Sequence, residues 1–476
     1  MLTEGLEMFY TDGMKIRDEY GRERIFRGVN FCLKYEKMDT SDFHKAERDF
    51  KKLLKSMIDC GANIVRLGFT WAMLEPEESC YDQKAFEMLK GFVSRLGEHN
   101  IYVLLDMHQD LFFKNVNIGD GAPKWLTADY KQKKPVAIWA EGYFYMRGVQ
   151  RAFNDFWQNK NGMQDRFVKL WQRVTQEFSV FDNVIAYDYF NEPQINDNSN
   201  RAFCSIVNNA LKQGLGINFN AEKYFKNGQE RRGFVKMALA VAVKVKSVKR
   251  LKAFLQTMDS YELFGKAVGD LEQYVTPFTE KYYQPFIDNL AEKCEDGRHF
   301  HFFEHCYYSN LGVPFEIKTG DKYIYSPHAY DIFIDSPLYN SYSSNERIRY
   351  IIDGIRKNQI KMNVPVVMSE WGGGADGNQW VDHIDYIYSL IEENHWSSIY
   401  WGFRIKNQKF TEMINRPYPV AVCGDIETVK SDSEKRTFTL TYNCKDTEHK
   451  TEIFIPEKGF VSFDNKIGFN EISFEY

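Results

Sequence analysis

Along most of the chain, short apolar runs of strand length are separated by longer stretches whose apolar residues recur at helical spacing. IFRGVNF, residues 25–31, is the first such run. Ala46, Phe50, Leu53, Leu54, Met57 and Ile58 follow at helical spacing, with Gly61 as a stop. NIVRLGFTW carries Arg66 near its end, and a helix over 82–99 leads into IYVLLDMHQD. Continued, the pattern predicts strands near 25–30, 64–68, 101–106, 184–190, 300–304, 323–326, 364–369 and 398–401. Buried strands alternating with amphipathic helices predict an α/β fold, a closed (β/α)8 TIM barrel. A doubly wound open sheet is the alternative, but no glycine-rich nucleotide turn follows the first strand.

Two stretches break the rhythm. Residues 111–160 hold Phe112, Phe113, Trp125, Tyr130, Trp139, Tyr143, Phe144, Tyr145, Phe153, Phe156 and Trp157. Following the third strand, they are expected to overhang the barrel mouth and shape a pocket, part of them only packing the loop down. The second stretch, about 195–271, contains a segment over 231–258 with Arg231, Arg232, Lys236, Lys244, Lys246, Lys249, Arg250 and Lys252 and no acidic residue. Interleaved apolar residues make it a basic amphipathic helix, suited to peripheral contact with an anionic membrane or to serving as a solvated cap. Beyond Trp401 the period changes to two: TFTLTYNC, TEIFIP, GFVSFD and EISFEY read as short antiparallel strands. The expected organisation is a catalytic barrel over 1–423 and a small C-terminal antiparallel β-sandwich over 424–476.

Composition sharpens this picture in a few respects. The 476 residues are 43% hydrophobic and 16% aromatic, enough for a large core and for stacking on sugar rings or apolar ligands. A net charge of -5 gives no reason to expect a nucleic-acid partner. The eight cysteines form no CxxC pair, and their positions in apolar segments predict buried, reduced thiols. The N-terminus lacks a basic region followed by an unbroken apolar one. A cytoplasmic location is therefore expected, or secretion if a leader has been trimmed away.

The candidate chemistry lies at two strand ends. In YDYFNEP an apolar run leads to Asn191, Glu192 and Pro193; in VPVVMSEWGG a similar run leads to Glu370. Either carboxylate alone fits a turn or a salt bridge. Two of them at the C-terminal ends of barrel strands are what a retaining glycosidase requires, at a separation of about 5–5.5 Å. Glu192 reads as the acid, because burial and a neighbouring carboxylate raise its pKa. Glu370 reads as the nucleophile, kept charged and aimed by Arg66 and the Tyr330 hydroxyl, with His328 at the same rim. His108 and Asp110 are expected to bind sugar hydroxyls, and Trp401 to floor the sugar, unless it is a core residue. Asp106, His108, Glu304 and His328 could converge at the mouth. Without HxH or HExxH spacing no metal or other cofactor is expected.

LLDMHQD, GDGAPKWL, YFNEP, SPHAYD, MSEWGG and RPYPVAVCG, in this order before a β-rich tail, resemble the endoglycoceramidases and related glycosylceramidases of glycoside hydrolase family 5. The resemblance leaves about 195–271 unmatched. It implies Glu192 as acid/base and Glu370 as nucleophile. Lys34, His108, Asp110, Asn191 and Trp401 would surround the first sugar, and Tyr330 and Arg66 would stand beside the nucleophile. The implied reaction is cleavage of the β-glycosidic bond between sugar and ceramide by double displacement. Alternatives are an intracellular β-glucosidase acting on glucosylceramide or steryl glucoside, an endo-β-glucanase, and a silent carbohydrate- or lipid-binding barrel.

Overall fold

The structure is a computed structural model that describes residues 8–115, 118–196, 198–402 and 407–476. Its centre is a closed parallel barrel. The strands are Arg27–Leu33, Ile64–Phe69, Tyr102–Met107, Val184–Asp188, Phe300–Phe303, a sixth in two pieces (Tyr323–Tyr325 and His328–Ala329), Val367–Gly372 and Ser397–Trp401. Each pairs with the next in sequence, and the eighth pairs with the first. A bridge from Tyr325 to Val366 and pairing of His328 with Glu370 join the sixth strand to the seventh. All eight predicted strands are present. The first, second and seventh run further than expected, so Asn30 and Arg66 lie inside their strands rather than at the ends, and Glu370 lies within its strand rather than past it. Gly28 permits the tight start of this sheet, since a Cβ there would meet the Ile64 carbonyl at 1.9 Å.

The interior is layered by height. Its lower half is apolar: Phe26, Ile64, Leu104, Ile185, Phe300, Phe302, Ile324, Val367 and Ile399 form one buried cluster with Phe9 and Ile16. Phe9 stacks edge-on against Phe26 and Tyr102, with centroids 5.3 and 5.1 Å apart. Strands Phe9–Asp12 and Lys15–Asp18 thus plug the barrel floor. The outer core packs helices such as Thr40–Asp59, Gln83–Gly97 and Met163–Phe178 against the barrel.

The sandwich draws on more of the chain than 424–476. One sheet is Asp425–Asp432, Thr437–Cys444 and Gly468–Glu475. The other takes Thr451–Ile455 and Gly459–Phe463 but also Tyr418–Val422 and the N-terminal strands Phe9–Asp12, Lys15–Asp18 and Glu23–Arg24. The physical reason is pairing. Two C-terminal strands leave an open edge, which Tyr418–Val422 and the N-terminal strands extend.

Both insertions also depart from expectation. In 111–160, Phe112, Phe113, Tyr130, Tyr143, Tyr145, Phe153, Phe156 and Trp157 are buried; Trp125, Trp139 and Phe144 are half-buried. Most of these rings therefore hold the insertion onto the barrel. Residues 231–258 form two helices, Arg231–Val245 and Val248–Thr257. Lys246 turns into the left-handed region, and the Ser247 side chain caps the second helix by accepting from the Arg250 amide. No helix among the described residues is long and apolar enough to cross a membrane. Of the unbridged cysteines, Cys204, Cys294, Cys306, Cys423 and Cys444 are buried, Cys32 and Cys60 half-buried and Cys80 exposed.

If Phe9 plugs the floor, Phe9→Ala should cost about 3 kcal/mol of stability by the usual aromatic-to-alanine scale, read as a lower denaturant midpoint. A loss below about 0.5 kcal/mol, the range of surface substitutions, would contradict that role.

Candidate active site

Above the apolar floor the barrel interior turns polar, and Arg66 stands at its centre with no exposed side-chain surface. Its guanidinium donates to Glu370 Oε1 (2.6 Å), Glu304 Oε1 (2.7 Å), Asp106 Oδ1, Asp188 Oδ2 and Asn191 Oδ1 (each 2.9 Å), and Asn30 Oδ1 (3.3 Å). Burial opposes its charge, but Asp106, Asp188, Glu304 and Glu370 outweigh this and push its pKa well above the usual value. One cation cannot neutralise four carboxylates. Burial first, then repulsion from Glu304, raises the Asp188 carboxyl well above the ordinary range despite Arg66.

Glu370 is aimed by two groups. Arg66 holds one oxygen, and the Tyr330 hydroxyl donates to the other at 2.9 Å. The seventh strand shifts register between Met368 and Trp371, a bulge that sets how the Ser369–Glu370 segment faces the interior. Tyr330 keeps its proton: burial, then Glu370 and Glu192, raise its pKa well above normal.

Glu192 is held differently. Its backbone is in the left-handed region at φ 41°, a strained conformation for a side chain of this size. Its amide donates to Glu304 Oε2 at 2.5 Å, and Gln109 Nε2 donates to the carbonyls of Asn191 (2.7 Å) and Glu192 (3.1 Å). Glu192 Oε1 accepts from Asn310 Nδ2 at 2.9 Å and lies 3.0 Å from His328 Nδ1. Burial raises its pKa, His328 opposes the rise, and the charges of Glu370 and Glu304 add to it.

His328 sits between the two. Its Nδ1 is 3.6 Å from Glu370 Oε2 and its Nε2 is 3.3 Å from Glu304 Oε1. Burial disfavours its cation, but Glu304, Glu370 and Glu192 overcome this and hold its pKa well above normal. One oxygen of Glu192, one of Glu370 and a His328 nitrogen lie within 4.8 Å of one another. His328 is therefore closer to Glu192 than to the carboxylate it was expected to support.

A second cluster lies at the rim. Lys34 Nζ donates to Asp110, is 3.9 Å from Asp120 and stands 4.9 Å over the Trp401 ring. His108 stacks parallel to Trp401, centroids 5.4 Å apart, with Nδ1 2.9 Å from Asp106 and Nε2 buried without a hydrogen-bond partner among the described residues. Trp401 itself is half-exposed, which suits a platform better than a core residue. Asp110 is held below the usual carboxyl range by Lys34 and His108 against its burial; burial and then Asp110 push Asp120 up to about 7. The expected residues Lys34, His108, Asp110, Asn191, Glu192, His328, Tyr330, Glu370, Trp401 and Arg66 thus share one mouth. Asp188, Gln109, Asp120 and Asn310 were not anticipated there, and Glu304 was anticipated at the mouth but not as a partner of Glu192. Asp188 and Glu304 carried a signal, as charges ending apolar strands; Asn310, in the short 3₁₀ helix Tyr307–Leu311, carried none.

Several acidic clusters have metal-like spacing, but Arg66 already donates to Asp106, Asp188 and Glu304, and Lys34 to the Asp110 cluster. The donors fit internal cations rather than a metal.

The family described as Cellulase (glycosyl hydrolase family 5) matches residues 18–216 and 303–407, more than half of the chain. The glycoside hydrolase family 5 C-terminal domain matches residues 416–472. An endoglycoceramidase of Cyanea nozakii is 28% identical over 203 residues, 38% of this chain and 40% of that protein. Endoglycoceramidase I of Rhodococcus hoagii is 26% identical over 182 residues, 38% of this chain and 36% of that protein. The matches thus span two fifths or less of these relatives' lengths. Among solved structures, endo-glycoceramidase II from Rhodococcus sp. aligns over 96% of this chain and 98% of its own, with TM-score 0.63 and 21% identity. Sterylglucosidase 1 of Cryptococcus neoformans aligns over 98% and 97%, with TM-score 0.64 and 14% identity. The barrel with its β-sandwich is the fold of both, and the chain belongs to glycoside hydrolase family 5.

Proposed function

We propose that this chain is a retaining β-glycosidase that cleaves the bond between sugar and ceramide in glycosphingolipids, with Glu192 as acid/base and Glu370 as nucleophile. The observation that carries the proposal is that one oxygen of Glu192 and one of Glu370 lie within 4.8 Å of each other, Glu370 against the Arg66 guanidinium and Glu192 against His328 and Asn310. Retaining enzymes hold their carboxyl groups about 5–5.5 Å apart, whereas inverting enzymes need about 6.5–9.5 Å to admit a water. The lipid part of the proposal draws on the endoglycoceramidases among the relatives.

In the first step Glu370, held by Arg66 and Tyr330, attacks the anomeric carbon while Glu192 donates its proton to the departing oxygen. Bonding to the sugar removes the negative charge of Glu370. One of the repulsions that raised the Glu192 pKa then lapses, so Glu192 can take a proton from the water that releases the sugar. Glu304 acts through Glu192, fixing its strained backbone. Lys34, His108, Asp110, Asn191 and Trp401 would bind the sugar next to the scissile bond.

The test is a substrate panel of glucosylceramide, lactosylceramide, gangliosides, steryl glucoside and cello-oligosaccharides with product identification. Release of ceramide with an intact glycan is expected. Cleavage confined to steryl glucoside or to cello-oligosaccharides would replace the lipid assignment, and no cleavage at all would leave a binding barrel.

Two variant results are expected. Glu192→Gln should lower kcat by about 10²–10⁴ on natural leaving groups, and far less on dinitrophenyl glycosides, which need no protonation. A loss equal on both would remove the acid role. The basic limb of kcat/KM reports loss of the Glu192 proton and should lie above the ordinary carboxyl range, because the carboxyl's pKa is raised. The imidazole opposes that rise, so His328→Asn should move the limb to higher pH; movement to lower pH would contradict the assignment.

A further inference from the structure

Helix Arg231–Val245 is apolar on two faces. Its inner face carries Gly233, Met237 and Val245, all buried, and Phe234, which stacks on Tyr145 at 5.0 Å. That face is fully engaged. The outer face carries Val235, Leu239 and Val243 at four-residue spacing, one stripe along the helix. Leu239 is 62% and Val243 74% exposed, and Val248 and Leu251 of the next helix are 71% and 44% exposed. Large aliphatic side chains clustered this openly mark an interaction surface.

The charge around the stripe is of one sign. Arg231, Arg232, Lys236, Lys244, Lys246, Lys249, Arg250 and Lys252 are all exposed, and none forms an ion pair among the described residues. The nearest acid, Glu230, is engaged with Lys133 at 2.8 Å. The segment is tied through Phe234 on Tyr145 to the 143–145 stretch. It belongs to the insertion that leaves the barrel just after Glu192 and Pro193. Phe144, which packs on Phe203 at 4.9 Å, and Tyr143 reach Tyr307 at 5.9 and 4.6 Å. Tyr307 in turn stands near enough to Glu192 for the carboxylate to add to its raised pKa, after burial.

We propose that the outward stripe Val235, Leu239, Val243, Val248 and Leu251, with its eight surrounding cations, docks the protein on an anionic lipid surface. The aliphatic side chains enter the headgroup boundary while the basic residues meet lipid phosphates and carboxylates. A second copy of this chain is a poor occupant, because two such faces would oppose eight cations to eight. The docking does not depend on the glycolipid reading, although that reading gives it a purpose: it brings the mouth to a substrate embedded in the same surface.

The test uses the full chain and vesicles free of glycolipid, phosphatidylcholine with or without phosphatidylserine, read by flotation. Binding is expected to vesicles containing phosphatidylserine and to weaken as salt rises. Leu239→Ser/Val243→Ser and Arg232→Glu/Lys236→Glu, all at exposed positions, should each lower vesicle affinity about tenfold or more while hydrolysis of a soluble β-glucoside stays unchanged. Binding equally tight to neutral vesicles, no binding, or parental binding by both variants would overturn the proposal. So would a dimer of the parent that Leu239→Ser/Val243→Ser dissolves. Docking without cleavage of glucosylceramide added to the vesicles would leave this inference standing and defeat the substrate reading.

Discussion

The polar half of this barrel is built around one guanidinium. The Arg66 side chain has no surface open to solvent, so its charge must be met by protein oxygens, and six residues supply them. A buried arginine with this shell fixes geometry as well as charge, because its donors point in set directions in one plane. Glu370 and Glu304 are drawn to within 2.7 Å of it; Glu304 then takes the Glu192 amide, and His328 fills the space between. The short gap between Glu192 and Glu370 follows from Arg66 gathering carboxylates, not from attraction between the two.

The excess of negative charge makes the two carboxyls unlike. Glu370 is beside the cation; Glu192 is beyond it, paired with an imidazole and a neutral amide. Repulsion and burial therefore fall on Glu192 and Asp188, whose pKa values rise. An acid and a nucleophile of the same chemical type can thus coexist in one cavity, which is what double displacement asks for. The apolar floor beneath supports this by burying the strands' lower ends, and the N-terminal hairpin serves that floor and the sandwich sheet at once.

Much of this was legible in the sequence, for physical reasons that differ by residue. Parallel barrel strands are buried on both faces, so they stand out as apolar runs, and all eight were found by that contrast. Glu192, Glu370 and Arg66 were visible because a charge in such a run demands an explanation. Asn310, on a single short 3₁₀ helix, and Gln109, which binds backbone carbonyls from a loop, leave no periodic trace. The β-sandwich boundary was misread because pairing of residues 9–24 with a strand near 420 joins distant parts of the chain. In the aromatic insertion a larger share of the rings is buried than expected, because ring content alone does not tell packing from lining. The basic segment was read as one amphipathic helix, when its inner apolar face was already occupied and a second faced outward.

The most direct measurement is the configuration of the sugar as it leaves the enzyme. Proton NMR of the anomeric signal during early hydrolysis of a β-glycoside records it before mutarotation blurs it. Carboxyls as close as Glu192 and Glu370 leave no space for an attacking water between them, so the β anomer should appear first. Initial appearance of the α anomer would mean that water attacks directly and that the pair held together by Arg66 does not act by double displacement.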